Sequence, residues 1–167
     1  MKAIPRLQTF EDHIKAIAHF MNAQNAQNVA MFEELARVEG LDLPRITYAF
    51  VNRWADSERL VLERLRKGYE ALYRGYNHIA SDQNKRADQR ATARGLLKIL
   101  TDRNFPLTLY FMTDIITIVS DYSKKFQASR GLLIGKEEDR NAMIAAISAF
   151  KDSGGSPYLV ELLSHLH

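Results

Sequence analysis

Apolar residues recur at steps of three and four along most of this 167-residue chain. That spacing is the repeat of an α-helix, and the strict alternation of a half-buried strand is nearly absent. The one run with strand composition, Ile46 to Val51, alternatively forms an extended approach to the next helix. The pattern therefore predicts an all-α protein, an irregular bundle of about six to eight helices.

Capping residues suggest where the first helices begin and end. Thr9 is placed to cap a first helix, with Asp12 three residues on as its capping-box partner. A second helix is expected to stop at Gly40, which can adopt the left-handed conformation of a C-cap. A long apolar seam follows, in which apolar residues recur at helical spacing from Leu62 to Ile79. Gly68 and Gly75 interrupt it, so this region forms either one bent helix or two shorter ones.

The second half of the chain is expected to hold the most buried helix. The polar run Ser81 to Arg90 predicts a mobile loop, and a helix follows over Ala91 to Leu100. Pro106 suits the first position of the next helix, about 106–127, which is apolar nearly all round. Because a helix that is apolar on every side must be surrounded, we expect it, with Phe111, at the centre of the bundle.

Two further helices are expected after it. One runs over about 136–151, with acidic residues in its first turn as the helix dipole prefers. A last short helix follows the glycine pair 154–155 and extends to Leu166. The length of the chain suits one domain over residues 1–167.

Composition excludes several classes of protein. The chain has no cysteine, so it contains no disulfide scaffold, Cys-based zinc site, iron–sulfur cluster or thiol nucleophile. No stretch approaches the ~20 apolar residues of a membrane-spanning helix, so no membrane partner is expected. An intracellular location fits this composition.

Charge is distributed unevenly along the chain. The net charge is +3, but residues 45–103 hold 13 Lys or Arg and 7 Asp or Glu. A basic middle region can meet nucleic acid or another acidic partner. The alternative is that these charges form the solvated faces of helices.

Motifs for catalysis are missing from the sequence. It has no glycine-rich phosphate loop, no HExxH and no GxSxG, and no Glu is followed by His at the third position as di-iron bundles require. We therefore expect no metal, no cofactor and no enzymatic activity of the isolated chain. Asp114, in the most apolar helix, is expected to be a buried, paired carboxylate, or else a carboxylate in a cleft.

Two groups of residues are candidates for binding. Arg53 stands beside Trp54, the only tryptophan, and such a pair can bind phosphate while the ring stacks on a base. The alternative is a core tryptophan with Arg53 paired to Asp56. A row of tyrosines supplies aromatic anchors for a partner protein or a second copy of the chain: Tyr69, Tyr73 and Tyr76.

The order of these features resembles the helical region of hAT-type DNA transposases and of host proteins derived from them. The resemblance rests on five segments: His19 to Arg37, Arg53–Trp54, Leu62 to Leu72, Ala91 to Gln127, and the acidic-start helix at Lys136. In such transposases a helical domain interrupts an RNase-H-like fold, whose acidic residues gather a divalent metal. The resemblance implies that this chain is the non-catalytic helical part.

The resemblance also implies which residues meet DNA. The Arg–Trp pair of that family handles DNA ends, which assigns DNA contact to Arg53 and Trp54. The cations of the polar loop, Lys85, Arg86 and Arg90, would add contacts to the phosphate backbone. A nuclear location would follow. The alternative function is a protein-interaction or assembly module with no nucleic-acid role.

Overall fold

A computed structural model describes the backbone of residues 5–22, 26–43, 46, 54–128, 134–152 and 158. These residues form seven helices and include no strand, which confirms the all-α class. The helices are α1 (Pro5–Asn22), α2 (Ala26–Glu39), α3 (Trp54–Lys67), α4 (Tyr69–Ser81), α5 (Ala87–Thr101), α6 (Asn104–Ala128) and α7 (Ile134–Asp152).

The chain divides into two compact units. Unit 1 comprises Met1–Tyr48 and Glu63–Thr108, and unit 2 comprises Ala49–Leu62 and Leu109–His167. The single domain expected from the length of the chain stays a prediction.

Unit 1 is organised around a core of aliphatic and aromatic side chains. The stripe predicted for α1 is buried: Phe10, Ile14, Ile17 and Met21. Tyr76 of α4 is fully buried, and its ring meets the rings of Phe20 and Phe32 edge-on, with centroids 5.3 and 5.2 Å away. Helical periodicity alone therefore identified the residues by which α1 enters this core.

The ends of α1 and α2 show where capping signals predict well and where they do not. The Thr9 cap is wrong, because α1 begins at Pro5 and the Thr9 hydroxyl donates to the Pro5 carbonyl at 3.1 Å. A proline at the first helical position has its φ already set, and its missing N–H costs nothing there. Gly40 does end α2, with φ of 66°, and Leu41 N donates to Ala36 O at 2.8 Å.

The two glycines of the long seam have different roles. Gly68 lies between α3 and α4, so the region forms two helices. Gly75 lies inside α4, where an added Cβ would overlap the ring of Phe32. The absence of a side chain at Gly75 therefore lets α2 approach α4 closely.

Unit 2 contains most of α6, the first part of α3 and α7. The buried face of α6 in this unit follows a helical stripe: Leu109, Thr113, Ile116 and Ser120. The hydroxyls of Thr113 and Thr117 donate to carbonyls four residues earlier, each at 2.7 Å, so these polar groups are satisfied inside an apolar helix. An ion pair of 3.0 Å joins Arg59 of α3 to Asp121 of α6.

The expectation that α6 is enclosed on all sides is wrong for Phe111. Its side chain is 45% exposed, although its ring contacts that of Phe150 in α7 at a centroid distance of 5.6 Å. Apolar composition raised the expectation of burial, but among the described side chains of α6 the fully covered ones form one stripe. Pro106 is the third residue of α6 and not the first, a position in the first turn that proline also tolerates.

Several predictions fall outside the described residues. The strand-like run is described only at Ile46, which is buried, and the expected last helix only at Tyr158. Within the described part of the chain, no helix is long and apolar enough to cross a membrane.

Candidate nucleic-acid interface

The predicted polar loop joins two helices that pack against each other. At one end of this pair, the Tyr69 hydroxyl of α4 donates to the carbonyl of Leu100 in α5. At the other end, Arg94 Nη2 of α5 donates to the carbonyl of Ala80 in α4 at 3.4 Å. Helices α4 and α5 are therefore antiparallel neighbours, and we call them the α4–α5 hairpin.

The turn of this hairpin is short and hydrogen-bonded. Asp82 ends α4, its carboxylate accepts from Asn84 N at 2.9 Å, and its carbonyl accepts from Lys85 N at 3.2 Å. The loop predicted over Ser81 to Arg90 is thus too long, since α5 already begins at Ala87. The residue before α5, Arg86, has no side-chain acceptor to cap a helix, so the sequence carried no start signal there.

The three cations assigned to DNA differ in their surroundings. Arg86 is exposed and pairs with Asp88 at 2.9 Å across a largely solvated surface. Such pairs are worth ~0–1 kcal/mol, so a phosphate can replace the carboxylate at little cost. Lys85 is half-buried, as is Arg90, whose Nε is enclosed without a hydrogen-bond partner among the described residues.

Two more cations continue this series along α5. Arg94 and Lys98 follow Arg90 at steps of four residues, and both are exposed. A rise of about 1.5 Å per residue separates successive members by ~6 Å along the helix axis. We name Lys85, Arg86, Arg90, Arg94 and Lys98 the basic strip. Arg94 and Lys98 lie outside the predicted loop, to which the predicted DNA contact was confined, although their spacing is visible in the sequence.

The three candidate interface tyrosines occupy three different environments. Tyr69 is half-buried and bonded to α5, Tyr73 is 42% exposed, and Tyr76 is fully buried. A partner cannot reach Tyr76 unless unit 1 opens, so Tyr76 does not belong to an interface. Burial also raises the pKa of the Tyr76 hydroxyl far above its usual range.

The structure describes fewer contacts for the remaining candidate residues. Trp54 is the first residue of α3, but its side chain and the whole of Arg53 lie outside the described part. Asp114 is buried in α6, with 6% of its surface exposed. No group of three or more His, Cys, Asp or Glu side chains within the described ranges could hold a metal ion.

A cleft of about 360 Å³ opens in unit 1 between α1 and the corner joining α5 to α6. Its lining includes Arg6, His13 and Asp102, together with the buried Phe10 and Phe105. The Asp102 carboxylate accepts from Asn104 N at 2.9 Å and from Asn104 Nδ2 at 3.1 Å. This carboxylate therefore caps the start of α6, a structural role.

Comparison with protein-family models, with curated proteins and with solved structures finds no match to this chain.

Proposed function

We propose that the chain is a non-catalytic helical domain of the hAT transposase type that contacts DNA through its basic strip. The observation that carries the proposal is the regular placement of these cations on α5 and the turn before it. Residues 82–101 hold five cations and two acids, Asp82 and Asp88. Asp82 is held by the turn, and Asp88 is paired only across an exposed surface.

The physical basis is electrostatic. Lysine and arginine side chains that neutralise phosphates release condensed counterions, which favours binding at low salt without reading sequence. Phosphate contacts of this kind position a protein on DNA. The resemblance adds Arg53 and Trp54 as a second contact, at or just before the start of α3, and adds a nuclear location.

The test is fluorescence anisotropy with a labelled duplex at low salt. The double variant Lys85→Ala/Arg86→Ala should bind roughly 10-fold more weakly or worse, because two phosphate contacts are lost. Arg140→Ala is the matched control, since Arg140 also forms an exposed pair, with Glu137 at 3.6 Å, but lies on α7. Equal losses of DNA affinity in the double variant and in Arg140→Ala, or no DNA binding by the wild type, would reject the proposal.

Trp54→Ala tests the second contact separately. Loss of a stacking ring should weaken binding of DNA ends by about 1–3 kcal/mol, or roughly 5- to 150-fold. A closed circular duplex of the same sequence, competed against the linear one, is the control for end-specific contact. Unchanged end binding would remove Arg53 and Trp54 from the proposed interface.

The alternative function, protein association, is favoured by apolar side chains on the surface of unit 2. Leu60, Phe111 and Ile144 are each about half exposed, at 50%, 45% and 52%. Ile144→Glu would place a charge in an interface that used this surface. Light scattering should then show an oligomer in the wild type and a monomer in the variant, whereas a monomeric wild type would remove self-association.

A further inference from the structure

We propose that single-stranded DNA lies along the outer face of the α4–α5 hairpin, with a base stacked on Tyr73 and phosphates on Arg94 and Lys98. This inference rests on the proposed DNA-binding function and specifies the form of DNA that this face accepts. It uses residues outside the three cations first assigned to DNA.

The position of Tyr73 follows from its neighbours on α4. Tyr73 comes one turn after Tyr69, whose hydroxyl reaches the backbone of α5. Residues four apart lie on nearly the same side of a helix, so Tyr73 also borders α5. Unlike Tyr69, its side chain has no hydrogen-bond partner among the described residues, and it is 42% exposed.

The two cations border the same face from the other helix. Arg94 reaches the Ala80 carbonyl, which places its side chain on the side of α5 next to α4. Lys98 lies one turn further on, toward the end where Tyr69 meets Leu100. Because α4 and α5 are antiparallel, the step of one helical turn from Arg94 to Lys98 along α5 leads toward the end of α4 that carries Tyr73.

The acidic side chains within α4 and α5 are paired with arginines. Glu70 is the one acidic residue of α4, and it is engaged by Arg74, which also binds Glu39 of α2. The single acid within α5, Asp88, lies in the first turn and pairs with Arg86. The face bordered by Tyr73, Arg94 and Lys98 is therefore positively charged and carries an accessible aromatic ring.

This combination favours a single strand over a duplex. Every base offers a flat surface that can stack on tyrosine, at about 1–3 kcal/mol per base, but only when that surface is free. In a duplex the base faces are already stacked, so only the cations would contribute. An exposed tyrosine on α4, with two exposed cations on the neighbouring α5, is thus suited to an unpaired segment.

The experiment compares a labelled dT oligonucleotide with a duplex of equal length, by anisotropy at one low salt concentration. Tyr73→Ala should weaken oligonucleotide binding by roughly 5- to 150-fold and leave duplex binding nearly unchanged. Tyr73→Phe keeps the ring and should retain the affinity. Arg94→Ala/Lys98→Ala should weaken binding of both DNA forms.

The outcomes separate this inference from the proposed function. Absence of binding to either DNA form would reject both. Wild-type binding that is unaffected by Tyr73→Ala, or equally weakened for duplex and single strand, would reject the single-strand inference and leave the basic strip in place. Circular dichroism of each variant establishes that a lost affinity does not reflect lost folding.

Discussion

Units 1 and 2 bury different kinds of side chain, although both are helical. In the described part of unit 1 the buried side chains are apolar apart from the hydroxyl of Tyr76. In unit 2 the buried face of α6 includes Thr113, Asp114 and Ser120, while Phe111 and Ile144 are about half exposed. The most apolar helix in the sequence is therefore not the one with the best-covered apolar side chains.

This difference shows that hydrophobic composition and burial are separate properties. An amphipathic helix such as α4 divides its residues cleanly between core and solvent, so its pattern predicts its environment. An apolar helix such as α6 gives no such division, and its neighbours alone decide which face is covered. We expect unit 1 to supply the tighter packing and unit 2 the more adaptable surface.

The largest predicted effect comes from deleting the Phe32 ring in unit 1, and deletion of the Phe111 ring in unit 2 is its comparison. Phe32→Ala should destabilise the protein by about 3–5 kcal/mol, because Phe32 is fully buried between α2 and α4. Phe111→Ala should cost about 1 kcal/mol, since the ring is half exposed and its contact with the Phe150 ring is all that the described residues show to be lost. The free energies of unfolding of the two variants are measured by urea unfolding followed by circular dichroism. Equal losses of stability would contradict the contrast between the units.

A smaller effect is expected where α2 approaches α4. Gly75→Ala should destabilise unit 1 by roughly 1–2 kcal/mol, since the overlap with Phe32 outweighs the gain in helix propensity. Gly95→Ala is the matched control, because Gly95 lies in α5 and an added Cβ meets nothing within 4 Å. Gly95→Ala should stabilise by about 0.5–1 kcal/mol, and the same sign for both variants would disprove the close approach.

The smallest effect concerns the hydroxyl of Tyr76, a fully buried residue of unit 1. The Tyr76 hydroxyl has no hydrogen-bond partner among the described residues, so Tyr76→Phe should be neutral or stabilising by up to about 1 kcal/mol. If urea unfolding showed that Tyr76→Phe lowers the free energy of unfolding, the hydroxyl would have to form a stabilising hydrogen bond.

The same hydroxyl makes stability depend on alkaline pH. Its pKa is raised by burial in the folded state, so above about pH 10 the unfolded tyrosine ionises while the folded one does not. This contribution to stability is complete below pH 10 and declines as pH rises. The wild type should therefore lose more stability than Tyr76→Phe between pH 9 and 11 on urea unfolding.

Much of the helical frame was predictable from the sequence because its signals are local. The stripe of α1, the Gly40 cap and the start of α7 follow from periodicity and capping chemistry. The start of α5 was missed because Arg86 carries no capping oxygen. The exposure of Phe111 was missed because burial depends on residues distant in the chain.

The candidate interface was predictable only in part, for the same reason. The sequence identified Lys85, Arg86 and Arg90 as a basic segment, but it grouped Tyr73 with the buried Tyr76. Only the pairing of α4 with α5 puts Tyr73 on a helix that neighbours the one carrying Arg94 and Lys98. A shared surface requires knowing which helices are neighbours, and neither charge nor periodicity supplies that.

The central claim, that this helical domain binds DNA through the basic strip, is tested most directly by the salt dependence of its affinity. The logarithm of the association constant for duplex DNA should fall linearly with the logarithm of salt concentration. Each neutralised phosphate contributes about −0.9 to the slope, so the five cations of the strip predict a slope of roughly −3 to −4.5. Replacing Lys85 and Arg86 by alanine should reduce its magnitude by about 2. Affinity that does not change with salt, or no binding at low salt, would contradict the account.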